Sequence, residues 1–119
     1  MKKYAIALAL LTGFSLPVAA QSIGGQYRVE GTNFDGSPYS GQAEIILTSD
    51  TSCDIRWITN STEAGGICMR NDNSFAAGYK LGDEIGLVIY KIMPDGTLNG
   101  LWTIAGKSGA GTEVLIPVR

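Results

Sequence analysis

Beyond residue 21 the apolar positions recur at every second residue. Tyr27 and Val29 oppose Arg28 and Glu30, and Ala43, Ile45 and Leu47 alternate with Gln42, Glu44 and Ile46. Cys53, Ile55 and Trp57 stand against Asp54, Arg56 and Ile58, and Phe75, Ala77, Tyr79 and Leu81 share a face. A period of two marks a strand with one buried side. Further runs at residues 65–70, 85–92, 98–105 and 112–118 bring the strands to eight; the last takes Val114, Ile116 and Val118 as its apolar face. Outside the first twenty residues no stretch carries a helix-period stripe with caps.

Turn chemistry separates these runs. Asp35-Gly36 and Asp95-Gly96 supply the positive φ of tight reversals, and Pro94 suits the first corner of the second turn. Both Asp-Gly turns lead into a strand containing glycine, a recurring hairpin opening at slightly different spacing. Eight short strands with short links predict an all-β domain, a small antiparallel meander closed into a barrel, with a two-sheet sandwich as the alternative. Closure removes exposed sheet edges and favours the barrel. Gly78, Gly86 and Gly100, inside strands, fit the bends that a small barrel needs.

The first twenty residues follow a different logic. Lys2 and Lys3 precede an apolar run from Ala5 to Leu16, Pro17 breaks it, and Val18-Ala19-Ala20 ends in a small residue. This is the three-part pattern of a secretory signal, with cleavage expected after Ala20. The apolar run is too short to cross a bilayer, and no second one follows, so no membrane span is expected after cleavage. The domain is then residues 21–119, in the periplasm or secreted.

Export changes the picture of charge and cysteines. Loss of the two lysines leaves seven basic against eleven acidic residues, a net charge of −4, which argues against nucleic acid as a partner. Cys53 and Cys68 are the only cysteines, and an even count in an oxidising compartment predicts a disulfide. A hairpin centred on Asn60 and Ser61 places Cys53 opposite Cys68 and Trp57 opposite Ala64. With a four-residue loop, residues 59–62, the cysteine pair falls on a non-hydrogen-bonded site, where Cα atoms lie close enough to bridge. Asn60-Ser61-Thr62 also fits a glycosylation sequon, read here as turn chemistry.

Candidate chemistry is sparse. The chain has no histidine, which removes Ser-His, Cys-His and His-metal arrangements together. Asp83-Glu84, and Glu30 with Asp35, read as solvated turn carboxylates, and Lys107-Ser108 as loop composition. Asn33, Asp35 and Ser37 offer alternating oxygens but lack the bidentate glutamate of a calcium loop. No catalytic, cofactor-binding or metal-binding residues are assigned, no cofactor is expected, and the chain reads as a non-enzyme. Trp57, Trp102, Tyr27, Tyr79 and Tyr90, with Tyr39, line a ligand cavity or form the core; aromatics at alternating strand positions more often form core.

Several stretches carry a family resemblance. They are Gly25-Gln-Tyr27-Arg-Val29-Glu-Gly31-Thr-Asn33, Asp35-Gly36-Ser37, Cys53-Asp-Ile-Arg-Trp57, Gly66-Ile-Cys68-Met-Arg70, Phe75-Ala-Ala-Gly-Tyr79, Gly86-Leu-Val-Ile-Tyr90, Gly100-Leu-Trp102-Thr and Gly111-Thr-Glu113-Val-Leu115. Across nearly all of residues 21–119 the chain resembles a family of small exported bacterial proteins often named fibronectin-binding protein or hypothetical protein. The resemblance implies a single exported β domain and brings no catalytic or binding residues with it. The expectation is a protein-binding module, adhesive or inhibitory, whose loops meet an extracellular or periplasmic protein and whose interior is filled. The alternative is a small-molecule carrier with a site inside the barrel. A cavity of a few hundred Å³ separates the two.

Overall fold

The computed structural model describes residues 22–119; the expected signal, residues 1–20, lies outside them. Eight strands follow in order: β1 (Gly25–Thr32), β2 (Pro38–Leu47), β3 (Ser52–Thr59), β4 (Thr62–Asn71), β5 (Ser74–Leu81), β6 (Glu84–Ile92), β7 (Leu98–Ile104) and β8 (Gly111–Pro117). Each pairs antiparallel with the next. β8 returns to pair antiparallel with β1, from Tyr27↔Pro117 to Thr32↔Thr112, so the sheet is a closed barrel and not a sandwich. With both edges paired, no strand is left as a template for aggregation.

The alternation read from the sequence decides what faces inward. Val29, Ile45, Ile55, Phe75, Tyr90, Leu98 and Leu115 are fully buried inside the barrel. Removing such side chains from water stabilises the fold by roughly 1.5–3 kcal/mol each. The β3–β4 pairing follows the expected register, Cys53↔Cys68 and Trp57↔Ala64. The loop is shorter than expected. Thr59 pairs directly with Thr62, leaving Asn60 and Ser61 as a two-residue turn with φ of 50° and 69°. Positive φ at both central residues is the type I′ geometry that matches strand twist. Cys53 and Cys68 are bonded, with Cα atoms 4.9 Å apart.

Two expected faces need correction. In β8, Glu113 and Leu115 point into the barrel, while Val114 and Ile116 are half-buried on the outer wall and Val118 is exposed. Both faces of this strand carry apolar residues, so alternation alone cannot choose between them. Closure chooses: Leu115 is opposite Leu98 on one side and Val29 on the other, both in the core. Leu47, at the end of β2, is exposed as well.

The outer wall is two-sided. β1 to β3 present Arg28, Glu30, Glu44, Asp54 and Arg56 outward together with exposed Ile46, Leu47 and Ile58, whereas the wall of β4, β6 and β7 carries the larger apolar stretch, Ile67, Met69, Ile85, Leu87, Ile89 and Leu101. A surface hollow of about 370 Å³ lies on this apolar side, over Ala76 and Gly78.

The two Asp-Gly turns are built alike. Asp35 Oδ1 accepts from the Ser37 backbone N–H at 2.9 Å and its hydroxyl at 2.6 Å; Asp95 Oδ1 accepts from Thr97 in the same way at 3.0 and 2.7 Å. These bonds hold both carboxyls below the usual carboxylate range. They engage one oxygen, Oδ1, of each carboxyl in closing the turn. Among the described residues no group of three or more His, Cys, Asp or Glu could hold a metal ion.

Candidate functional site

The meander gives the barrel two different ends. One carries the β1–β2, β3–β4, β5–β6 and β7–β8 connections; the other carries the remaining three and the start of β1 and end of β8. At the second end the interior is packed: Ile23, Tyr27, Ile92 and Leu98 are buried there, and the Tyr27 hydroxyl donates to the Ile23 carbonyl at 2.6 Å. At the first end the barrel is open, with a pocket of about 260 Å³.

Cross-strand steric pairs create that opening. Tyr39 lies against Gly31, Tyr79 against Gly86, Tyr90 against Gly100 and Trp102 against Gly111, each the register partner of the other. A Cβ on Gly86 would fall 2.1 Å from the Tyr79 ring, and one on Gly111 would fall 2.3 Å from Trp102. Each ring therefore lies flat over a bare backbone instead of standing across the lumen. Large side chains thus line the wall and leave space at the centre, a device that also covers exposed strand backbone.

The pocket is walled by Tyr39, Trp57, Tyr79 and Trp102, with Val88 and Glu113 also lining it. Asn33, Thr59, Asn60 and Thr62 add polar groups. Trp57 and Tyr79 meet edge-on with centroids 5.1 Å apart, and Tyr39 meets Trp102 in the same way at 6.2 Å. Phe34, from the β1–β2 loop, stacks on Trp102 at 4.8 Å. The aromatic ring around the mouth is therefore braced on both sides.

Glu113 is the feature that alternation failed to place. It is 6% exposed and is the buried charged residue among those described. Tyr39 donates its hydroxyl to Oε1 at 2.6 Å, Trp57 donates Nε1–H to Oε2 at 2.9 Å, and the Tyr90 hydroxyl donates to the same Oε2. Tyr79 and Trp102 turn their polar ends elsewhere, to the Thr103 carbonyl at 3.2 Å and the Thr112 carbonyl at 3.3 Å. The carboxylate thus ties β2, β3 and β6 to β8 across the lumen.

These contacts set the state of the tyrosines. Burial, then the Glu113 charge, pushes the Tyr79 hydroxyl up to about 12. Burial, with the Glu113 charge and its hydrogen bond, drives Tyr39 and Tyr90 well above the ordinary tyrosine value. All three are neutral hydrogen-bond donors at ordinary pH.

Of the five aromatics expected as cavity lining or core, Trp57, Tyr79 and Trp102 come together in the pocket. Tyr90 is core: it stacks on Phe75 at 5.0 Å and reaches Glu113. Tyr27 belongs to the opposite, packed end. The sequence suggested an interior filled throughout; it is filled at one end only, because at the other the inward glycines hold the rings back from the axis. Glu113 itself could have been found from Gly111, whose pairing with Trp102 fixes which face of β8 looks inward.

Fold and pocket together define the class: a closed eight-stranded antiparallel barrel, packed at one end, with a ligand-sized aromatic pocket at the other. No family model matches the chain, and no curated protein does. Among solved structures it is similar to a redesigned β-barrel, b11L5F_LGL, with a TM-score of 0.72 and 17% identity, covering 88% of this chain and 99% of that one. It is also similar to the redesigned barrel mFAP1 bound to DFHBI (TM-score 0.70, 20% identity, 82% of this chain and 97% of that one). A third, EF1p2_mFAP2b bound to DFHBI, gives a TM-score of 0.70 at 16% identity, over 87% and 100% of the two chains. At these identities the likeness is one of fold.

Proposed function

We propose that residues 21–119 form an exported, non-catalytic carrier or sensor of a small molecule held in the open mouth of the barrel. The pocket of about 260 Å³, walled by four aromatic side chains with a buried carboxylate on its lining, carries this reading. Eight-stranded barrels of this size hold one small ligand, and binding pockets are largely apolar with a few placed polar groups. Two of the structurally similar barrels are bound to DFHBI, which supports small-molecule binding as something this architecture can do. The buried Cys53–Cys68 bridge suits an oxidising compartment, in keeping with export and with the resemblance to small exported proteins. What favours this reading over a loop-based protein-binding module is the placement of the residues. Asn33 and Asn60, from the loops at the open end, line the pocket, and most exposed apolar side chains (Ile67, Met69, Leu87, Ile89 and Leu101 among them) lie on the barrel wall and not in those loops.

Both tryptophans of the chain line the pocket, so intrinsic fluorescence reports on it directly. Titration with a small panel of single-ring aromatic compounds is expected to give saturable quenching. Ala64, half-buried on the pocket lining, is the place to plug it. Ala64→Phe is expected to abolish the quenching while the far-UV spectrum stays that of the barrel. Unchanged quenching in that variant, or no saturable signal from any compound, overturns the proposal.

A further inference from the structure

We infer that the ligand of this pocket is a small organic cation, an aromatic or alkyl ammonium, with Glu113 as its counter-charge. The inference rests on the mouth being a ligand site and specifies its chemistry.

The charge inventory of the pocket points this way. Its lining includes one carboxylate and no lysine or arginine. The ion pairs among the described residues, Arg28–Glu30 and Lys107–Glu84, do not involve Glu113. The three groups that bond it, two phenols and an indole, are neutral donors. They satisfy its oxygens without cancelling its charge. A carboxylate taken out of water with no counter-ion is costly, and a cation entering the pocket would remove that cost.

The hydrogen-bond count leaves room for such a guest. Two carboxylate oxygens offer about four lone-pair sites. Three are taken by Tyr39, Trp57 and Tyr90, which leaves one on a group that borders the pocket. The rest of the wall suits the apolar body of the same guest. Tryptophan and tyrosine are rings that attract cations strongly through their faces, the more so when desolvated. Four of them converge here. An anion would meet the opposite: a like charge with no compensating cation.

A purely structural reading makes Glu113 a tether across the lumen and nothing more. It predicts no charge preference among guests, whereas the cation reading predicts a strong one. Three probes of similar shape, the first two each able to donate a hydrogen bond, separate the readings: 2-phenyl-2-propylammonium, 2-phenyl-2-propanol and benzenesulfonate, which are cationic, neutral and anionic. Each is titrated into the oxidised residue 21–119 domain and followed by tryptophan fluorescence and calorimetry. The cation is expected to bind about tenfold more tightly than the alcohol, the ratio that 1.4 kcal/mol gives, with the sulfonate weakest. In Glu113→Gln the cation-to-alcohol ratio is expected to fall to about one. If that variant does not fold, the series on the native protein decides alone. Equal binding of cation and alcohol, or preference for the sulfonate, overturns the cation assignment while leaving the pocket a ligand site. Failure of all three probes to bind overturns both.

Discussion

Glu113 shows how one side chain can hold a barrel and shape its site. Its oxygens receive Tyr39, Trp57 and Tyr90, so the residue joins three other strands to β8 through one carboxylate. Glu113→Leu keeps roughly the same bulk but orphans three donors, of which the Tyr90 hydroxyl and the Trp57 indole N–H are the more deeply buried. Each buried unsatisfied donor costs about 1–3 kcal/mol, so a loss of roughly 2–6 kcal/mol is expected in urea unfolding. Tyr39→Phe, nearer solvent, orphans no donor but takes from Glu113 Oε1 the bond it receives, so a smaller loss of about 1.5 kcal/mol is expected. Near-equal losses in the two variants would show that Glu113 is not the hub its geometry describes. The residue was hidden in the sequence for a physical reason. A charged side chain at an inward position breaks the alternation by which strands are read, and only its three donors, from distant segments, make that position tolerable.

At the scale of the strand, glycine does two different jobs that composition cannot distinguish. Gly78 faces outward, and a Cβ there would meet nothing within 4 Å. Gly86 faces inward beneath Tyr79, where a Cβ would sit 2.1 Å from the ring. Gly78→Ala is expected to raise stability by about 0.5–1 kcal/mol, since alanine loses less conformational freedom on folding. Gly86→Ala is expected to lower it by roughly 1–3 kcal/mol, because the ring must leave its place. Tyr79 stands edge-on to Trp57, so tryptophan emission should change in the second variant and not in the first. Equal effects of the two in urea melts would count against the packing of rings on glycines. The eight strands were legible because each repeats a buried face at period two. The destination of each ring was not. Tyr27 and Tyr79 sit in similar patterns, yet strand direction and barrel closure send one to the packed end and one to the open mouth. The face of β8 was lost for the same kind of reason: Leu115 and Val114 are equally apolar, and only the pairing with β1 and β7 separates them.

For the molecule as a whole, the staple and the tyrosines govern when the barrel opens. Cys53 and Cys68 are 15 residues apart and lie on the half of β3 and β4 away from the Asn60-Ser61 turn, hence away from the pocket. Closing a loop of that length stabilises a chain by about 3 kcal/mol in the entropy model, so the double variant Cys53→Ala/Cys68→Ala should lose about that much in urea while still binding ligand when folded. Alkali acts through the other device. Tyr27, Tyr39, Tyr79 and Tyr90 are the tyrosines of residues 21–119, and burial raises every one above the ordinary value of 10.0. Arg70 and Arg119 partly offset the rise at Tyr27, whereas the Glu113 charge adds to it at the other three. An unfolded chain releases these protons near 10 and the folded barrel retains them. Stability from this source is therefore complete below 10 and falls as pH rises from there through about 12, where Tyr79 titrates in the folded state. Native protein should show little tyrosinate absorbance at pH 10, followed by a steep rise that coincides with loss of the β signal in circular dichroism. A gradual titration centred near 10, with the barrel intact, would mean that the mouth is wet and its tyrosines are not held by Glu113.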